Sequence, residues 1–223
     1  MSAPTEPQSV TGSVVGVVIA GGRSVRFGGE KAIAVLAGQP LLLWAVRRLQ
    51  RSCTAVAVNA RPGTEAAALA QAEGLPVLHD APGDPAGPLS GVKAGLAWAQ
   101  ELGARTIAIS PCDVPLLPDD LFPRLINAAN AGAANSGAAI AETSDGRRQS
   151  LCSVWPVSAL PKVTAGLAGG AHPPTWLMLE TIGATPVHVQ SAEAFANINT
   201  RADLAAIAGR LEKEDWDRRL HQR

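Results

Sequence analysis

Short apolar runs alternate with helical patterns through the first half of the chain, and this alternation limits the possible folds more than any other feature. Val14 to Ala20 reads as a buried strand. A helix from Pro40 to about Arg51, a strand from Ala55 to Asn59, a helix from Glu65 to Glu73 and a strand from Pro76 to Leu78 follow. Strands spaced by helices pair in parallel, with helices covering both faces of the sheet. After the loop DAPGDPAGPLSG the pattern resumes with a helix from about Val92 to Leu102, a strand from Thr106 to Ser110 and a helix opened by Pro118, Asp119 and Asp120. Proline and acidic residues suit a helix start. The expected architecture is α/β, a three-layer, doubly wound, mostly parallel sheet.

From Ala138 the pattern changes. Two short runs around SDGRRQ, the second from Ser150 to Val154, read as a hairpin that gives the sheet an antiparallel edge. A strand near Pro186 to Val189, the stretch FANINT and a helix after Thr200, a plausible N-cap, to about Lys213 complete the chain. Residues 1–12 are expected to be disordered, 13–213 to form a single domain and 214–223 to be a solvated tail.

Composition narrows the function classes. Nineteen basic residues balance nineteen acidic ones, so no global field draws the protein to nucleic acid or to a membrane surface. Any attraction for an anion has to be local. The three cysteines, Cys53, Cys112 and Cys152, share no metal-ligand spacing and suggest reduced thiols packed as small hydrophobes. The first dozen residues lack signal-peptide character, and no run has the length and apolarity of a membrane span. The expected location is cytoplasmic.

In an open parallel sheet, ligands sit beyond the carboxyl ends of the strands, so the loops leaving Ala20, Asn59, Leu78 and Ser110 should be neighbours. The first of these loops is GGRSVRFGGEK, in which Gly21, Gly22, Gly28 and Gly29 expose backbone amides beside Arg23, Arg26 and Lys31. Concave loops of this kind bind phosphate oxygens. Neither a Walker A spacing nor G-x-G-x-x-G is present, so the loop belongs to another class. Asp113 in SPCDVP stands just past a strand, where an open-sheet enzyme places a carboxylate for a hard cation such as Mg²⁺. Its plain alternative role is to cap the turn before Pro115. Asp80 and Asp84 flank a Pro/Gly-rich turn and suit either ligand hydroxyls or turn formation.

These motifs, taken together, resemble a family. IAGGRSVRFGGEKA is similar to the signature of the MobA-like nucleotidyltransferases, LAGG followed by a variable stretch and R-M-G-x-D-K. GPLSG, PCDVP and FANINT resemble the later motifs of that family in the same order, so the likeness runs from Val14 to about Leu211. The resemblance implies a Rossmann-like nucleotidyltransferase fold and, in its guanylyl branch, transfer of GMP from GTP to the terminal phosphate of Mo-molybdopterin with release of pyrophosphate. On matching positions it implies that Ile19, Ala20, Gly21, Gly22, Lys31, Asn59, Asp80 and Asp113 bind GTP. Lys31 and Asp113 are implied to be catalytic, and Asp113 to hold Mg²⁺. Arg26, Gly29, Gly91, Asn197 and Asn199 fall at molybdopterin-binding positions. The expected partners are these two substrates and, transiently, a molybdoenzyme or cofactor chaperone.

Three departures stand out. Ile19 replaces Leu and Phe27 replaces Met, both conserving apolar volume, whereas Glu30 replaces Asp and lengthens a carboxylate beside Lys31. Two other readings share the loop chemistry: a cytidylyltransferase acting on the same pterin, and a sugar-1-phosphate nucleotidyltransferase. AGG and GPLSG favour guanine, since the cytidylyl branch usually opens with A-A-G. A third reading, of another class, is a nucleotide- and pterin-binding chaperone that binds its ligands without releasing pyrophosphate.

Overall fold

The structure is a computed structural model and describes residues 13–22, 24–131 and 136–220. Nine strands, β1 Val14–Ile19, β2 Val35–Leu36, β3 Gln39–Pro40, β4 Val56–Asn59, β5 Val77–Leu78, β6 Thr106–Pro111, β7 Ala139–Thr143, β8 Arg148–Pro156 and β9 Thr185–Val189, are formed among the described residues. Seven helices accompany them: α1 Leu41–Gln50, α2 Glu65–Ala72, α3 Pro88–Glu101, α4 Leu121–Ala131, α5 Leu160–Leu167, α6 Thr175–Thr181 and α7 Arg201–Leu220. The last of these continues past Lys213, into the stretch read as a tail.

The main sheet has the order β5-β4-β1-β6-β8-β7-β9, and β2 with β3 forms a separate ribbon. β5, β4, β1 and β6 are mutually parallel. β8 runs antiparallel to both of its neighbours, β6 and β7, while β9 is parallel to β7. The hairpin therefore lies one strand inside the rim, with β9 outside it. α5 and α6 form the long crossover that a parallel pairing requires, and they return the chain beyond β7 as β9.

Alternation along β1 directs Val15 and Val17 to one face and Val18 to the other, which explains why the run is apolar throughout. On one face the strands pack against α1, α2 and α4 through residues such as Leu42, Leu49, Ala70 and Phe122. On the other they pack against α3, α5 and α6 through Leu89, Leu96, Val163 and Leu179. A third cluster, of Phe27, Leu36, Leu41, Ile198 and Ile207, seats the glycine loop against the FANINT segment and α7. Phe27 fills the apolar position expected of it, with the Arg201 guanidinium 5.3 Å from its ring centroid. Among the described residues no helix is long and apolar enough to cross a membrane.

Candidate active site

The loops leaving β1, β4, β5 and β6 enclose a cavity of about 420 Å³ at the carboxyl ends of the strands. Ile19, Ala20, Gly21 and Gly22 form one wall, and Lys31, Asn59, Asp80 and Asp113 converge from four separate loops. All eight expected nucleotide positions therefore line one space. Apart from its chain neighbours, no described atom lies within 4 Å of where a side chain on Gly22 would begin. A bare backbone there admits a ligand up to the amides. Within this loop the left-handed backbone falls at Ser24 (φ 48°) and Gly28 (φ 73°), while Arg23 lies outside the described residues.

Lys31 Nζ donates to Asp113 Oδ2 at 2.6 Å and to Asn199 Oδ1 at 3.4 Å. The two side chains keep only 13% and 22% exposure, so this ion pair spans the floor of the cavity with little water between its members. The Asp113 side chain thus reaches across to the lysine instead of capping the turn before Pro115. Its backbone is fixed from two sides: the Asp113 carbonyl accepts from Ile198 N at 2.9 Å, and Arg48 Nη2 donates to the Pro115 carbonyl at 3.0 Å. Burial holds the Arg48 guanidinium below its ordinary pKa.

Asn59 is buried, and its Nδ2 donates to Asp80 Oδ1 at 3.0 Å, linking the ends of β4 and β5. Gly91 lies behind this pair. A Cβ there would overlap Asn59 Oδ1 and stand 2.9 Å from Ile19 Cδ1, so Gly91 is buried under the cavity floor instead of facing its mouth. Of the other positions expected near the pterin, Arg26, Gly29 and Asn197 are exposed on the lip beside the FANINT segment. Asn199 alone among them reaches Lys31.

The sequence reading placed the start of α3 near Val92, but the helix begins at Pro88, with Gly87 as its N-cap. Proline in the first turn needs no donor, and Ser90 Oγ donates to the Pro85 carbonyl at 2.6 Å to hold the preceding loop. As a result the amino end of α3 opens onto the cavity through Ala86, Gly87 and Pro88. Asp84 turns away from the ligand space and pairs with Lys93 at 2.7 Å and 2.9 Å, so it is a loop anchor.

Several lining residues were missed. Arg61 follows Asn59 at the end of β4, and the rule that ligands collect at carboxyl ends was enough to single it out. Ser24, whose Oγ accepts from Lys31 N at 3.4 Å, carried no signal. Glu30 was questioned for its length. Its carboxylate accepts from Glu65 N at 2.7 Å and Ala66 N at 3.0 Å, while the lysine ammonium pairs with Asp113. Burial pushes the Cys53 and Cys112 thiols up to about 12, which suits small inert packing groups.

The family description of the MobA-like NTP transferase domain matches residues 16–178. The chain belongs to the MobA-like NTP transferase family. Among its family relatives, the molybdenum cofactor guanylyltransferase of Cereibacter sphaeroides is 37% identical over 202 residues, covering 89% of this chain and 97% of that protein. A protein of the same name from Cupriavidus taiwanensis is 36% identical over 201 residues, covering 88% of this chain and 97% of its own length. Among solved structures, molybdopterin-guanine dinucleotide biosynthesis protein A from Archaeoglobus fulgidus superposes with a TM-score of 0.72 at 18% identity, covering 89% of this chain and 99% of that one. That last likeness supports the MobA-like fold, and the sequence relatives support the family.

Proposed function

We propose that this chain is a molybdenum cofactor guanylyltransferase, transferring GMP from GTP to Mo-molybdopterin and releasing pyrophosphate. The observation that carries this reading is the convergence of Lys31, Asn59, Asp80 and Asp113 on one cavity beside a bare glycine loop. The names of the relatives supply the guanylyl and pterin specificity.

In this reading the triphosphate lies along Gly21 and Gly22, whose amides face its oxygens, with Lys31 at the loop's far end. The amino end of α3 contributes a partial positive charge from a third side. Asn59 and Asp80 hold each other's side chains in place and present the polar atoms that meet base or ribose. The Lys31–Asp113 pair is a resting arrangement, and phosphate oxygens replace the carboxylate as partners of the ammonium. Asp113 is thereby freed toward the phosphates.

Mg²⁺ suits this donor set. Among the described residues no three His, Cys, Asp or Glu side chains gather into a metal-holding group. One carboxylate facing a triphosphate is the kind of site in which Mg²⁺ keeps waters and takes phosphate oxygens. Asp113 would hold it, and the ion would supply Lewis-acid neutralisation of the phosphates. The terminal phosphate oxygen of molybdopterin attacks the α-phosphorus, forming a new P–O bond as the bond to the bridging oxygen breaks and pyrophosphate leaves with the electron pair. That phosphate is ionised near neutral pH, so the protein supplies position and charge without a general base.

The test is pyrophosphate release from each of the four nucleoside triphosphates, supplied with Mo-molybdopterin across a Mg²⁺ titration, in wild type and Asp113→Asn. Turnover should be fastest with GTP, rise with Mg²⁺ and fall roughly a hundredfold or more in the variant. Equal rates with CTP and GTP would remove the guanine assignment. Turnover indifferent to Mg²⁺ would remove the metal role.

A further inference from the structure

We infer that Glu30 is a positioning residue for nucleotide transfer, a strap that fixes the end of the glycine loop and so aims Lys31 into the cavity. This rests on the guanylyltransferase reading above. Both Glu30 carboxylate oxygens are engaged, Oε2 accepting from Glu65 N at 2.7 Å and Oε1 from Ala66 N at 3.0 Å. These are the first two amides of α2, and Thr64 Oγ1 accepts the third, from Ala67, at 3.3 Å. The donors that a helix leaves open at its amino end are therefore divided between a local cap and a residue more than thirty positions away.

The strap closes a loop at both ends on one segment. The glycine loop starts where Ala20 N donates to the Asn59 carbonyl at 2.8 Å, and it ends where Glu30 grips the start of α2. Asn59 and α2 belong to the same β4–α2 connection, which also carries Arg61. Lys31 is the next residue, its backbone N–H held on Ser24 Oγ and its ammonium pointing the opposite way, to Asp113. Glu30 is extended (φ −76°, ψ 105°) and immediately precedes the short helical turn that Lys31 opens, so fixing its carboxylate on α2 fixes where the lysine leaves the backbone.

The strap also has an electrostatic role. The amino end of α2 would attract an anion if its amides were free, and Glu30, which lines the cavity, occupies two of them. A carboxylate seated on two of those amides fills that place with a fixed negative charge. The triphosphate is left with the glycine loop, Lys31 and α3. An aspartate, one methylene shorter, reaches both amides only if the loop moves toward α2, which explains the length of this side chain.

The decisive experiment compares Glu30→Ala, Glu30→Gln and Thr64→Ala with wild type, reading kcat and KM for GTP, direct GTP affinity and melting temperature. Thr64→Ala unsettles the same helix end without touching the loop. It should lower the melting temperature and keep GTP kinetics. Glu30→Ala should reduce kcat/KM by about tenfold to a hundredfold, the range expected when a catalytic group is misplaced by about 1 Å. Glu30→Gln, retaining length and one acceptor, should fall between. A merely structural cap predicts that all three lower the melting temperature and leave GTP kinetics intact in the folded fraction. Wild-type GTP kinetics in either folded Glu30 variant, or an equal kinetic loss in Thr64→Ala, overturns the inference. Absence of GTP turnover in wild type itself fails the guanylyltransferase reading and this inference together, whereas wild-type turnover with indifferent Glu30 variants fails this inference alone.

Discussion

Lys31 and Asp113 hold each other in an ion pair at 2.6 Å, and that contact shapes what their substitution does. Lys31→Ala removes a charge that is 13% exposed and leaves Asp113 with Oδ2 unpaired. GTP affinity and turnover should both fall, because the ammonium is desolvated in the complex and worth more than a surface charge. Isothermal titration with GTP together with a turnover assay checks this, and undiminished GTP affinity would falsify the phosphate role of the loop's far end. Gly91→Ala offers a second test at the residue scale, since its methyl group would overlap the Asn59 side-chain oxygen. The Asn59–Asp80 link should break and GTP affinity should drop, at a stability cost of about 1–3 kcal/mol for overpacking. A GTP affinity equal to wild type would mean that the Asn59 carboxamide does not face the nucleotide.

The segment that joins FANINT to α7 is held by a reciprocal cap. Asp203 Oδ2 accepts from Asn199 N at 2.9 Å and Thr200 N at 2.8 Å, while Thr200 Oγ1 accepts from Asp203 N at 3.1 Å. The backbone bonds from Asn199 and Thr200 hold the Asp203 carboxyl below the usual carboxylate range. Its contribution to stability is therefore complete above the unfolded aspartate value near about 4 and is lost as pH falls through the lower native value. Asp203→Asn should be less stable than wild type near neutrality, with the difference closing under acid. Chemical denaturation at a series of pH values from neutral to about 3 checks this, and a gap that persists unchanged in acid would assign the effect to packing. Because Asn199 Oδ1 accepts from Lys31 Nζ at 3.4 Å, the same cap helps to hold the lysine.

At the scale of the whole molecule, the proposed GTP site draws on loops from four strands, so GTP should stabilise the fold as a unit. At a hundred times its Kd, GTP with Mg²⁺ should add about 2.7 kcal/mol to unfolding free energy, and the other three nucleotides less. Thermal melts over a concentration series of each nucleotide check both the size and the order. The family, the βαβ alternation and the gathering of eight named residues around one cavity were legible in the sequence, because strand period, glycine content and motif spacing are local properties carried by neighbouring residues. Even the third cluster was half visible, in that Phe27 keeps the apolar character its position needs. Tertiary structure alone decided the rest. It placed the hairpin inside the rim, turned Gly91 under the floor, gave Asp84 to Lys93 and sent Glu30 to α2. Each of these depends on which distant backbone donor, charge or strand edge comes within reach once the layers pack, and a linear pattern holds no record of that distance.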